Sequence, residues 1–215
     1  IMDSIEKRFA DIRRELGIAY DVEADIKALR ARLTKDMGVD ELVSRGEYFT
    51  SKLLADYLGY TFVDAKDCVF FGFDGQVERE KSYAAIRKAV EEYGRIVIPG
   101  FYGMSPTGKI RVMSRGGSDI TGALAAAAAD ADVYENWTDV SGILMADPKI
   151  VRDPRPIPRI TYGELRELAF MGASVLHEES VQPVKEKGIA LNIRNTNAPD
   201  APGTMIVDRV EEESG

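Results

Sequence analysis

The chain has 215 residues, 45% of them apolar and 30% charged, enough for one large domain or two small ones around a substantial core. Its 28 Lys and Arg against 36 Asp and Glu leave a net charge of −8. That balance excludes nucleic-acid recognition through a broad basic face, but not capture of a small phosphate ligand by a few local cations.

Ile5, Phe9, Ile12 and Leu16 fall on one helical stripe, and Val22, Ile26, Leu29 and Leu33 repeat it after a break at residues 17–21. Two amphipathic helices therefore open the chain. Ile1 precedes Met2, and charged helices stand where an α/β domain would begin with a strand, so the chain is expected to start partway into a larger protein. Residues 40–58 read as a third helix, capped by Asp40 and stopped by Gly59. Residues 60–65 and 68–71 read as short strands, 81–93 as a helix ended by Gly94, and 95–99 as a buried strand. Gly103 to Lys109 has the spacing of a phosphate-cradling loop, but Ile110 stands where Ser or Thr must reach Mg²⁺. With β-rich residues on both sides, this run reads as a hairpin turn. An alanine-rich helix follows over 118–130, then a strand over 131–136, a helix over 161–171, and strands over 188–194 and 204–207. The alternation predicts an α/β fold with a mostly parallel sheet between helical layers. One cysteine, Cys68, and one histidine, His177, cannot supply a disulfide framework and make a poor metal-ligand set. No apolar run approaches transmembrane length and no signal peptide is visible, so a reducing cytoplasm is expected and the glycosylation sequon at Asn136 reads as chance.

Three runs carry chemistry. Ser114-Arg115-Gly116-Gly117-Ser118-Asp119 lies between a strand and the alanine helix. Its glycines let a ligand approach the backbone, the helix start offers free N–H groups, and Arg115 adds a fork suited to carboxylate or phosphate. Asp119 beside such a nest suits the orienting of a lysine or metal; a plain helix cap at Ser118 or Asp119 fits equally. Ser44-Arg45-Gly46-Glu47 is the second run, with Glu47 either functional or simply an exposed acid. The third is Trp137-Thr138-Asp139-Val140, just past a strand's carboxyl end, with Asp147-Pro148-Lys149 close behind.

Together these runs resemble the catalytic domain of aspartate kinases, within the amino-acid kinase family. The resemblance rests on residues 41–59 (ELVSRGEYFTSKLLADYLG), 97–103 (VIPGFYG), 114–151, 160–179 and 193–204 (IRNTNAPDAPGT), most of the chain from residue 40 onward. It implies a three-layer αβα sandwich of the carbamate kinase-like type around an eight-stranded, mainly parallel sheet, here incomplete at the amino terminus. It implies a helical amino-terminal part over 1–39, a kinase core over 40–207 and, from 208, a linker to regulatory domains that bind the feedback amino acid. The implied reaction moves the γ-phosphate of ATP, as its Mg²⁺ complex, to the side-chain carboxylate of L-aspartate, towards lysine, threonine and methionine. Arg115 and Asp119 then take the catalytic positions. Arg115, Gly116, Gly117, Ser118 and Glu47 take the aspartate, with Glu47 on its ammonium. Thr138, Asp139, Leu144, Asp147, Lys149, Ser174 and Val175 take the nucleotide. Mg²⁺ is expected to bridge phosphate oxygens, with no protein metal cage, and the protein is expected to form a homo-oligomer.

The chain departs from that pattern in three places. Leu144 stands where the family has an aromatic residue, and Ser174 where it has a lysine. The family's opening strand, with its Lys-Phe-Gly-Gly-Thr-Ser run, has no counterpart, so the chain alone is expected to turn over poorly. Two other readings stay open: a relative acting on glutamate, acetylglutamate or a nucleotide, and a non-catalytic amino-acid-binding protein.

Overall fold

The computed structural model describes residues 1–33, 37–146, 150–152, 154–170, 176 and 178–209. Two compact units divide the chain, Ile1–Ser118 and Asp119–Gly215.

The first unit opens with α1 (Met2–Leu16), α2 (Val22–Arg32) and α3 (Val39–Leu58). Gly17, with φ of 64°, stops α1, and the Asp21 carboxylate starts α2 by accepting the N–H of Ala24. Val22, Ile26 and Leu29 of α2 bury against Phe49 and Leu53 of α3, with Phe9 and Ile12 of α1 packed alongside. Residues before position 40 thus share one apolar core with the helix that follows. Asp40 does not cap α3: the helix begins one residue earlier behind Gly38. Asp40 instead accepts the backbone N–H of Val112 at 3.2 Å, a tie across 72 residues.

After α3 come β1 (Thr61–Phe62), α4 (Ala65–Cys68), α5 (Arg79–Tyr93), β2 (Ile96–Val97), β3 (Tyr102–Met104) and β4 (Ile110–Val112). Of the strand expected over 60–65 only β1 forms, and of that over 68–71 only isolated bridges, with α4 in between. Asp64 accepts the N–H of Lys66 and turns the chain into a helical turn there, leaving Phe70 and Phe71 with single bridges to Met104 and Val77. Cys68 is buried in that turn, and burial first, then Asp64 and Asp67, push its thiol up to about 12. The β1–β2 pair is parallel, and β3–β4 is an antiparallel hairpin closed by Gly108 with φ of 74°. A hairpin, not a phosphate loop, therefore occupies residues 103–109.

Helix α6 (Gly117–Ala128) runs into the second unit, which holds β5 (Val133–Thr138), β6 (Arg159–Thr161), α7 (Tyr162–Phe170), α8 (Glu178–Glu186), β7 (Ala190–Asn195) and β8 (Thr204–Val207). Its sheet has the order β5-β7-β8-β6, parallel except for the β7–β8 pair. Ile160, Leu191, Ile193 and Ile206 bury against Ala123 and Ala126 of α6, Leu165 of α7, and Val181 and Val184 of α8. Thr161 ends a strand and caps α7 instead of starting it. Its hydroxyl accepts the N–H of Glu164 at 3.1 Å while the Glu164 carboxylate takes the Thr161 N–H, a reciprocal box. Periodicity missed β6, too short to alternate, and α8, whose pattern is interrupted by Pro183. The α/β alternation and the excess of parallel pairs match the expectation. Among the described residues, the eight strands form three sheets rather than one continuous sheet: β1 and β2 offer only two residues each, and β3 and β4 fold back on one another.

Candidate active site

In the first unit, the glycine turn entering α6 is pressed against the turn between β2 and β3. A Cβ on Gly100 would lie 2.7 Å from the Ser118 hydroxyl, and one on Gly117 would lie 2.6 Å from Cβ of Phe101. Gly116 takes φ of 62°, and Phe101 takes φ of 59°, a conformation that costs a non-glycine residue stability and concentrates at ligand sites. The Met113 N–H fixes that turn by donating to the Phe101 carbonyl at 2.7 Å. Ser118 and Asp119 lie inside the first helical turn, one and two residues after its start, so neither is the N-cap. Arg115 is exposed and, among the described residues, has no carboxylate partner. A guanidinium with no carboxylate partner among the described residues therefore lies two residues before the start of α6, whose amino terminus is the positive end of the helix dipole.

Glu47 sits half-buried on α3, and desolvation raises its carboxyl above the ordinary value of 4.5. Its neighbour Arg45 is engaged elsewhere: the guanidinium lies 4.5 Å above the Tyr48 ring and 5.5 Å from that of Tyr102, and bonds the Ser44 hydroxyl at 3.0 Å. Glu47 is thus a partly desolvated acid with no ion-pair partner among the described residues. Because its folded pKa is raised, its contribution to stability is complete below 4.5 and is lost as pH rises through the raised value. Glu47→Gln should therefore stabilise the protein at pH 7, with the gain vanishing near pH 4. Urea unfolding at the two pH values checks this; an equal gain at both would assign the effect to packing.

In the second unit, Asp119 is held by the strand beside it. Its carboxylate accepts Nδ2–H of Asn136 at 2.8 Å, and its carbonyl accepts the Tyr134 hydroxyl at 3.3 Å. Asn136 Nδ2 also lies 3.2 Å from that hydroxyl. Gly122 leaves room for the tyrosine, since a Cβ there would lie 2.4 Å from its oxygen. The sequence reading singled out neither Tyr134 nor Asn136 for a role. Their signal was the period of two along β5, which sets Tyr134, Asn136 and Thr138 on one face.

β5 runs two residues further than expected, so Thr138 is its last residue and Asp139 follows the strand end. Thr138 pairs across the ladder with Asn195, the last residue of β7. The Thr138 carbonyl accepts both the N–H of Thr196, at 2.8 Å, and its hydroxyl, at 3.0 Å. The Thr138 hydroxyl lies 3.3 Å from the Asp139 carboxylate, and Asn195 donates to the Ser141 hydroxyl at 2.8 Å. Two parallel strands thus end side by side in a group of small polar residues, where ligands gather in open parallel sheets. Trp137 points the other way, with Arg194 stacked 4.6 Å above its ring and paired to Glu135 at 2.8 Å. Leu144, partly exposed, bridges Pro156. Asp147, Lys149, Ser174, Val175 and His177 lie outside the described residues. Among the described residues, no three His, Cys, Asp or Glu side chains converge to hold a metal, and no helix is long and apolar enough to cross a membrane.

The model of the amino acid kinase family matches residues 4–195. Aspartokinase 3 of Bacillus subtilis is 35% identical over 230 aligned positions, covering 100% of this chain and 50% of that protein. The crystal structure of Clostridium acetobutylicum aspartate kinase superimposes with a TM-score of 0.93 at 46% identity, over 99% of this chain and 49% of that one. Escherichia coli aspartokinase III, solved with aspartate and ADP, gives a TM-score of 0.76 at 25% identity, over 96% and 52%. The chain spans about half the length of these relatives. A model matching nearly the whole chain, at the fold and around the glycine turn just described, leaves one assignment: the chain belongs to the amino acid kinase family.

Proposed function

We propose that the chain is part of the catalytic domain of an aspartate kinase, an enzyme that transfers the γ-phosphate of Mg–ATP to the side-chain carboxylate of L-aspartate. The observation that carries this reading is the free Arg115 guanidinium on the glycine turn at the start of α6. Arg115 grips the α-carboxylate as a bidentate pair, Glu47 faces the ammonium, and Gly116, Gly117 and Ser118 close on the substrate with N–H and hydroxyl donors. The half-buried Glu47 suits an ammonium that would replace the water it has lost. Thr138, Asp139 and Leu144 contact the nucleotide, with Asp147, Lys149, Ser174 and Val175 completing that pocket. Mg²⁺ arrives with ATP and neutralises its phosphate oxygens.

A side-chain oxygen of aspartate forms a bond to the γ-phosphorus while the bond from that phosphorus to the β,γ-bridging oxygen breaks, and its electron pair leaves on ADP. The nucleophile is already ionised at neutral pH, so no general base is needed. Positioning and charge neutralisation carry the step. Asp119 orients the phosphate-binding lysine rather than removing a proton. The remaining proposals are a helical part over 1–39, a kinase core over 40–207 with a linker beyond it, a homo-oligomeric state and a cytoplasmic setting, with the product feeding lysine, threonine and methionine synthesis.

The test is a coupled ADP-release assay of the intact protein with Mg–ATP and a panel of aspartate, glutamate, N-acetylglutamate and a nucleoside monophosphate. Aspartate is expected to exceed glutamate in kcat/KM by about 10–200-fold, the range that one methylene allows. Preference for any other acceptor overturns the substrate assignment. Aspartate binding without ADP release would instead favour a non-catalytic amino-acid-binding role.

A further inference from the structure

Asp119 is the only acid in the first turn of α6, and an acid there has an ordinary explanation in the helix dipole. That explanation does not account for what the strand does. Asn136, half-buried on β5 and 17 residues away in sequence, directs its Nδ2–H at the Asp119 carboxylate at 2.8 Å. Tyr134, two residues earlier on the same strand face, binds the Asp119 carbonyl at 3.3 Å and stands 3.2 Å from the same amide nitrogen. Gly122, one turn along α6 from Asp119, is open just where the tyrosine oxygen sits. Side chain and backbone of one acid are therefore both fixed by one strand.

We infer that Asn136 is a positioning residue for phosphoryl transfer: with Tyr134 it locks the orientation of the Asp119 carboxylate, so that one oxygen is held by the amide and the other is left to a cation at the phosphates. This inference rests on the proposed role of Asp119. The donor is a neutral amide, so it fixes geometry without cancelling the negative charge that a phosphate-binding lysine needs. A second cation at Asn136 would have competed for it. Tyr134 supports the arrangement because burial, the largest cause, and the nearby Asp119 push its hydroxyl up to about 12, with the Asn136 bond opposing. It stays a donor throughout the working pH range.

Three variants of the intact protein test the inference, each with melting temperature recorded. Asn136→Leu keeps the bulk and loses the donor. It should lower kcat about tenfold, the size of one charge-assisted hydrogen bond, with the KM values for aspartate and ATP within twofold of the parent. Asn136→Asp sets a second carboxylate against Asp119. It should lose more at pH 8.5 and recover towards pH 6, as a proton shared by the two acids restores a donor. A role confined to packing gives no such recovery, and Tyr134 does not titrate in that interval. Added to Asp119→Asn, Asn136→Leu should cause no further loss in kcat. An unchanged kcat in Asn136→Leu, a matching rise in KM, or an additive double variant would overturn the positioning role. Full activity of Asp119→Asn itself would overturn the proposed role of Asp119 in catalysis instead.

Discussion

Arg115→Lys is expected to raise the KM for aspartate by about 10–150-fold, the range spanned by hydrogen bonds to a charged group, and to leave the KM for ATP unchanged. A lysine keeps the charge and loses the planar fork that meets both oxygens of a carboxylate. The structure makes this substitution unusually clean. Arg115 is exposed and, among the described residues, pairs with no acid, so its replacement breaks no internal ion pair and should leave the melting temperature in place. Steady-state kinetics with each substrate varied in turn provide the measurement. Equal damage to aspartate and ATP would place Arg115 on the nucleotide, and a large loss of stability would make it a structural residue.

Asp119→Asn should lower kcat by about 10²–10³, the usual cost of removing one preorganised electrostatic group, with both KM values close to the parent. The substitution is nearly isosteric, and an amide oxygen at position 119 can still accept the Asn136 Nδ2–H, so the helix start keeps its shape. What disappears is the charge that, in the proposed mechanism, orients the phosphate-binding cation. The competing explanation is helix stabilisation: an acid in the first turn contributes about 0.3–1 kcal/mol through the dipole and nothing to kcat. Thermal unfolding beside single-turnover kinetics separates the two. A melting temperature lowered by a few degrees with normal turnover would leave Asp119 only that structural role.

Local rules explain which parts of the fold were legible in the chain. The helices α1, α2 and α5 follow from a period near 3.6 and α6 from its alanine content, and the ends of α1 and α3 from Gly17 and Gly59, whose backbones are left-handed. The hairpin over 103–109 follows from turn chemistry. Two errors share one cause: Asp40 and Asp64 carry the same capping chemistry, but only Asp64 starts a helix. Asp40 is drawn instead to the N–H of Val112, a contact that no local pattern announces. Likewise Thr161 reads as helical because a capping residue and a first helical residue look alike without the Glu164 partner in view.

For the proposed site, the sequence by itself singled out the glycine turn, Arg115, Glu47 and the Thr138–Asp139 run near a strand end, because each is a short run whose chemistry depends on neighbours one to four residues away. Only the tertiary structure decided how they are held. Asn136 reads as an isolated sequon until β5 lies beside α6 and its amide meets Asp119. Glu47 reads equally as a functional or an exposed acid in its own run until packing half-buries it and raises its pKa. Thr138 meets Asn195 only because β5 and β7 are parallel and in register, 57 residues apart. The physical reason is common to all three. Period and turn chemistry constrain a residue's own backbone, whereas desolvation and hydrogen-bond partners depend on which element arrives opposite it. In a sheet, a register shift of one residue turns every side chain to the other face.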